Sequence, residues 1–188
     1  TPYSLIYPSD VFPTMLIPED NLLTQEGVSL GKKLFFDPIL SSNNAISCAS
    51  CHIQENSFSD PNQYSIGVNG DFGFRNAFSL VNIGWNSSFN WDGSASSLEN
   101  QVFEPVTNPI EMANNWEQVE NDLNASSEYR NLFKQAFNTD CIDSTHVAKA
   151  IAQFERTLIS YNSRYDKWTR GEVMFTNEEL DGLNIFTT

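Results

Sequence analysis

The sequence predicts an all-α fold with long ordered loops and an extended N-terminal arm. Three observations predict it. Apolar residues recur at helical spacing in several segments, most clearly Val147, Ile151, Phe154 and Leu158, which step by 4, 3 and 4 residues. Helix-boundary signals flank these segments, and no segment alternates polar and apolar residues as a half-buried strand would.

Taken in order, the first residues carry Pro2, Pro8, Pro13 and Pro18 among aromatic and aliphatic side chains. They predict an extended arm over residues 1–23 that docks on a domain formed by residues 24–188. Residues 25–36 read as a helix, with Leu30 and Leu34 four apart, ended by Asp37-Pro38 because proline disfavours helix in the residue before it. Residues 56–92 mix Gly, Pro, Asn and Ser without a period and read as a long ordered loop. Its aromatic side chains, among them Phe58, Phe78, Trp85 and Trp91, predict packing against something large and apolar, which a cofactor would satisfy. Helical signals return over 97–103, 116–123 and 127–137, and the Val147 stripe predicts a helix over 144–160. Thr176-Asn177-Glu178-Glu179 has the form of a capping box and opens a last helix through Leu180 and Leu183.

Composition narrows the function. The chain has 188 residues, 40% of them hydrophobic, enough for the buried core of one domain. Ten Lys plus Arg stand against 24 Asp plus Glu, a net charge of −14, and no run of cations could follow a phosphate backbone, so nucleic acid is not an expected partner. The apolar stretches fall short of the roughly 18 residues that cross a bilayer, so no membrane span is expected. The start at Thr1-Pro2 predicts a mature product whose targeting segment has been removed. Three cysteines, two of them in Cys48-Ala49-Ser50-Cys51-His52, argue against a disulfide framework.

That pentad is the attachment signature of haem c. Two thiols at this spacing reach both vinyl groups of the ring, and the adjacent imidazole of His52 is placed to bind the iron. A zinc site built from Cys48, Cys51, His52 and Cys141 is the main alternative, weakened because Cys141 stands alone in sequence. A thioredoxin-like disulfide lacks the expected preceding strand and following helix. For the other face of the iron, His146 is the only further histidine and reads as a helix-start residue. Met112, 60 residues after His52, suits a closed electron-transfer site, whereas its neighbour Glu111 suits proton movement over an open iron. The spacing leaves both readings open.

A set of segments taken together resembles the bacterial di-haem cytochrome c peroxidase family: Leu30 to Pro38, Ile46 to His52, Ser65-Ile66-Gly67, Arg75-Asn76-Ala77, Trp91-Asp92-Gly93, Gln101, Asn108-Pro109-Ile110-Glu111-Met112 and Phe154-Glu155-Arg156-Thr157. The resemblance implies a cytochrome c-like haem domain, the peroxidatic one of two, in a periplasmic enzyme that reduces hydrogen peroxide to water. Its electrons would come from a small cytochrome c or cupredoxin through a second haem domain, absent from this sequence. By the same resemblance Gln101 and Glu111 line the distal pocket with Glu111 as acid/base, Trp91 lies on the electron route, Asn76 contributes to a calcium site, and Arg75 either meets a haem propionate or forms a surface ion pair. A homodimer is compatible with it. Two departures stand out. Val68 occupies the position where many members carry a histidine that blocks the iron, which predicts an iron with no distal protein ligand. Ser94 replaces an arginine common after Trp-Asp-Gly. The alternatives are a non-enzymatic electron carrier with His52 and Met112 on the iron, and a relative that oxidises another substrate through high-valent iron.

Overall fold

A computed structural model describes residues 1–9 and 11–188. Among these the fold is helical, without strands, and only isolated pairs such as Ile53 with Ser59 are bridged. The helices are α1 (Gln25–Phe36), α2 (Cys48–Cys51), α3 (Leu98–Gln101), α4 (Phe103–Thr107), α5 (Trp116–Ala125), α6 (Ser127–Phe137), α7 (Ser144–Glu155), α8 (Arg164–Thr169) and α9 (Asn177–Thr187).

Capping sets most of the boundaries. Thr24 Oγ1 accepts from Gly27 N at 2.9 Å to open α1, and Asp143 accepts from His146 N at 2.9 Å to open α7. Asn138, at φ +55°, closes α6 in the left-handed conformation. α1 buries Leu30, Leu34 and Phe35, α7 buries Val147, Ala150, Ile151 and Phe154, and Phe133 of α6 joins the same cluster. Each large side chain so buried stabilises the fold by about 1.5–3 kcal/mol. The α1–α7 contact is close because Gly31 has no side chain: a Cβ there would lie 1.8 Å from the carbonyl oxygen of Ala150.

Polar groups lock the same layer. Gln153 of α7 accepts from Thr24 N at 3.0 Å and donates to Asn21 Oδ1 at 2.8 Å. Arg156, just past α7, holds Glu99 of α3 through two bonds of 2.7 and 3.2 Å. Near the N-terminus Met15 is buried, Tyr7 and Phe12 meet the ring of Trp85, and Trp85 Nε1 donates to Pro13 O at 2.8 Å.

Two expectations are corrected, and one helix had no counterpart among them. The helix expected over 144–160 ends at Glu155, because Asn82 competes for the chain beyond it, donating N–H to Leu158 O at 2.8 Å and accepting from Ser160 N at 2.8 Å. The segment 97–103 belongs to two short helices that meet at Val102. α8 was not anticipated, although Ser163 and Asp166 form a capping box at its start.

Gly31→Ala should lower the melting temperature. Overpacking against Ala150 costs about 1–3 kcal/mol and outweighs the gain in helix propensity of about 1 kcal/mol. A thermal melt followed by circular dichroism measures this, and an unchanged or raised midpoint would contradict the close contact.

Candidate functional site

The Cys-x-x-Cys segment folds as the single turn α2, where Ser47 N donates to Ser50 Oγ at 3.0 Å and His52 N closes the turn on Cys48 O at 2.9 Å. Both thiols are free and half-buried. Burial pushes the Cys48 thiol up to about 12, helped by the negative charges of Glu155 and Cys51, and burial likewise raises Cys51. They are therefore protonated thiols, the form whose S–H can be added across a vinyl double bond.

His52 is held by the loop that follows it. Ser57 and Phe58 both adopt positive φ, +59° and +55°, and Phe58 N returns to Ile53 O at 2.9 Å. Bulky residues rarely adopt this conformation, which costs on the order of 1–3 kcal/mol each. The turn sets the Phe58 carbonyl 2.9 Å from His52 Nδ1. With Nδ1 as the donor, Nε2 carries the free lone pair. Burial lowers the imidazole's proton affinity, so the neutral, metal-binding form dominates. Phe35 and Phe78 pack on the ring at 6.4 and 5.8 Å.

These residues open on a mainly apolar cavity of about 420 Å³, within the range of cofactor sites. Gln101, Glu111 and Met112 share its lining with Cys48, Cys51 and His52. The Asn108 side chain shapes this wall, accepting from Ile110 N at 3.0 Å and donating to Glu111 Oε1 at 2.9 Å. Burial, then the charge of Glu104, raises the Glu111 carboxyl above its ordinary value. Gln101 Nε2 lies 3.5 Å from Asn90 Oδ1, a long bond that leaves the amide able to turn to a ligand. Met112 is buried beside Glu111, so the structure brings both opposing candidates to the cavity.

The Ser-Ile-Gly segment closes on the Glu111 turn. A Cβ at Gly67 would lie 1.6 Å from Ile110 O, and Val68 N donates to Glu111 O at 2.8 Å. The requirement for glycine is a backbone approach, which the sequence alone does not display. Val68 itself is outside the cavity lining.

At the mouth, Arg75 pairs with Asp92 at 2.9 Å, and both are about half exposed. Asp92 also accepts from Ser94 N, so Ser94 supports the carboxylate that holds Arg75. Trp91 is 63% exposed, donates Nε1–H to Asn76 O at 2.8 Å and meets Phe78 edge-on at 6.4 Å. Asn76 spends its amide N–H groups on the carbonyls of Asp60 and Asn62, at 3.0 and 2.6 Å.

Two alternatives lose their geometry. Cys141 is exposed and absent from the cavity lining, and among the described residues no three His, Cys, Asp or Glu side chains converge to hold a metal, so the four-ligand zinc site is not formed. His146 binds Asp143 through Nδ1 at 2.8 Å and meets the Phe137 ring at a tilt, away from the cavity. The residues present fit a haem: two free thiols, an imidazole with its lone pair fixed, and an apolar slot. A feature that sequence reasoning missed is Glu155, buried on the same lining with Oε2 lacking any hydrogen-bond partner.

The family model described as di-haem cytochrome c peroxidase matches residues 25–174. Cytochrome c551 peroxidase of Nitrosomonas europaea is 40% identical over 158 residues, 84% of this chain and 47% of that protein. Methylamine utilization protein MauG of Methylorubrum extorquens is 40% identical over 176 residues, 90% of this chain and 49% of that protein. The crystal structure of a MauG-like protein associated with microbial copper homeostasis superposes with a TM-score of 0.91 at 32% identity, covering 99% of this chain and 55% of that one. The chain thus spans about half the length of the curated relatives it matches.

Replacing Cys48 and Cys51 together by Ala should leave the denatured polypeptide at its bare mass, whereas the unaltered chain matured with haem should carry one haem. Intact-mass measurement decides it, and a haem-sized addition surviving in the double variant would contradict the attachment.

Proposed function

The chain belongs to the di-haem cytochrome c peroxidase family, and from that membership we propose that it is the peroxidatic-haem half of an enzyme that reduces hydrogen peroxide to water. The observation that carries this reading is the Glu111 carboxyl, raised above its usual proton affinity, on the same cavity lining as Cys48, Cys51 and His52.

Cys48 and Cys51 would hold the haem through thioether bonds, each thiol hydrogen passing to a vinyl group, and His52 Nε2 would bind the iron. The haem, when bound, supplies one-electron redox chemistry and a Lewis-acidic iron. Glu111 takes a proton from one peroxide oxygen and returns it to the other as the O–O bond breaks, so the leaving group departs as water. Two electrons from the partner haem domain and two protons from solvent balance the second water. Gln101 Nε2 orients the oxygens, and the apolar lining excludes bulk water.

Finer assignments belong to the same proposal. Trp91 at the mouth, in contact with Phe78 and through it His52, is the route for electrons from a second haem domain, itself fed by a small cytochrome c or cupredoxin. Asn76 contributes to a calcium site at that domain's interface, and Arg75 holds Asp92 or meets a propionate. The enzyme works in the periplasm, and no helix among the described residues is long and apolar enough to cross a membrane. One observation favours a second reading: buried Met112 lies on the same lining, where its sulfur could close the iron and make the chain an electron carrier.

Glu111→Gln should cut peroxide turnover by roughly 10²- to 10⁴-fold and leave the haem content unchanged. Turnover and pyridine haemochrome content measure this, and retained turnover would remove Glu111 from its role.

A further inference from the structure

Glu155 closes α7 and is 5% exposed. It lines the cavity, yet Oε2 has no hydrogen-bond partner. The adjacent cation does not bond it: Arg156 gives its two terminal nitrogens to Glu99, and its buried Nε also has no hydrogen-bond partner. A buried carboxyl left in this state costs free energy that an apolar residue would not.

Its surroundings define its chemistry. Burial raises its proton affinity most, Arg156 lowers it and Glu99 of α3 raises it, which leaves the carboxyl titrating at about 8. From α2 it faces Cys48, whose thiol it perturbs in turn and which loses its titration once alkylated. The other ionisable residues lining the cavity are His52, Arg75, Asp92, Glu104 and Glu111, together with Cys51.

We propose that Glu155 is a redox-linked proton site, taking up a proton when the group in this cavity is reduced and releasing it on reoxidation. This rests on the cavity holding haem. One electron from a one-electron redox protein enters the cavity, and one proton from solvent binds the Glu155 carboxylate to give the neutral acid. Oxidation reverses both. The physical reason is Coulombic: reduction removes one positive charge from a low-dielectric site, so a nearby carboxylate gains proton affinity. The sign follows. Between the carboxyl's titration points in the oxidised and reduced states, reduction consumes a proton, and the reduction potential falls as pH rises. Below both points the acid is neutral throughout, above both it is ionised throughout, and neither condition gives a slope from Glu155.

The test is redox potentiometry of the haem-loaded chain from about pH 4 to about pH 9, a range that brackets the ordinary and raised carboxyl values. The native protein should show a falling potential, approaching a tenfold change in the redox equilibrium per pH unit, or about 59 mV for one electron. Glu155→Gln should flatten that segment, and Glu155→Asp should restore a slope. A flat native profile, or a slope that persists in Glu155→Gln, overturns the proposal. If Glu155→Gln fails to mature, the reduced-minus-oxidised infrared spectrum of the native protein decides: a gained carboxylic acid band that shifts in heavy water supports the proposal, and its absence overturns it. A chain whose mass shows no attached haem overturns the haem reading as well, an outcome distinct from haem with no proton linkage.

Discussion

The hydrogen bond from His52 Nδ1 to the Phe58 carbonyl, 2.9 Å long, is the contact on which the site depends. It selects the tautomer, orients the ring and leaves Nε2 free. Two consecutive residues in left-handed conformation set that carbonyl, a cost the loop must offset elsewhere. It does so through Ser79 Oγ on Ser57 O at 2.6 Å, Ser65 on buried Asp60 at 2.7 Å, and the Asn76 amide on two carbonyls. The long irregular stretch after the Cys-His motif is thus an ordered device for aiming one imidazole, built where Phe35 and Phe154 supply a rigid floor.

Three buried or half-buried carboxyls around this region differ in charge because their partners differ. Burial alone would raise Glu99, but the two-bonded Arg156 and the Asn21 amide hold it below the ordinary range, as a carboxylate. Glu111 has only the Asn108 amide and a nearby like charge, and Glu155 has an incomplete set of partners, so burial dominates in both. A single family of side chains therefore supplies a structural ion pair and two groups able to exchange protons at the cavity. The chain's net charge of −14 reinforces the retention of protons in this region.

Much of this was legible in the residues. The period of Leu30 and Leu34 and the Thr24 cap give α1 its observed span, and the spacing of Cys48, Cys51 and His52 is what points to haem attachment. The convergence of Gln101 and Glu111 on the same cavity was available only through resemblance, since they arrive from separate turns. What stayed hidden depends on tertiary contact. The early end of α7 follows from Asn82, distant in sequence. The need for Gly67 arises from the Ile110 carbonyl, and the buried state of Glu155 from elements that surround it. An acidic residue near the end of an amphipathic helix reads as solvent-facing until the cavity behind it is seen.

The most direct test of the account is the electron paramagnetic resonance spectrum of the haem-loaded chain in its ferric state. His52 on one face, Val68 outside the cavity lining and His146 held by Asp143 away from it predict a high-spin iron with no distal protein ligand. A low-spin spectrum of His/Met ligation would place Met112 on the iron and contradict the open pocket over Glu111.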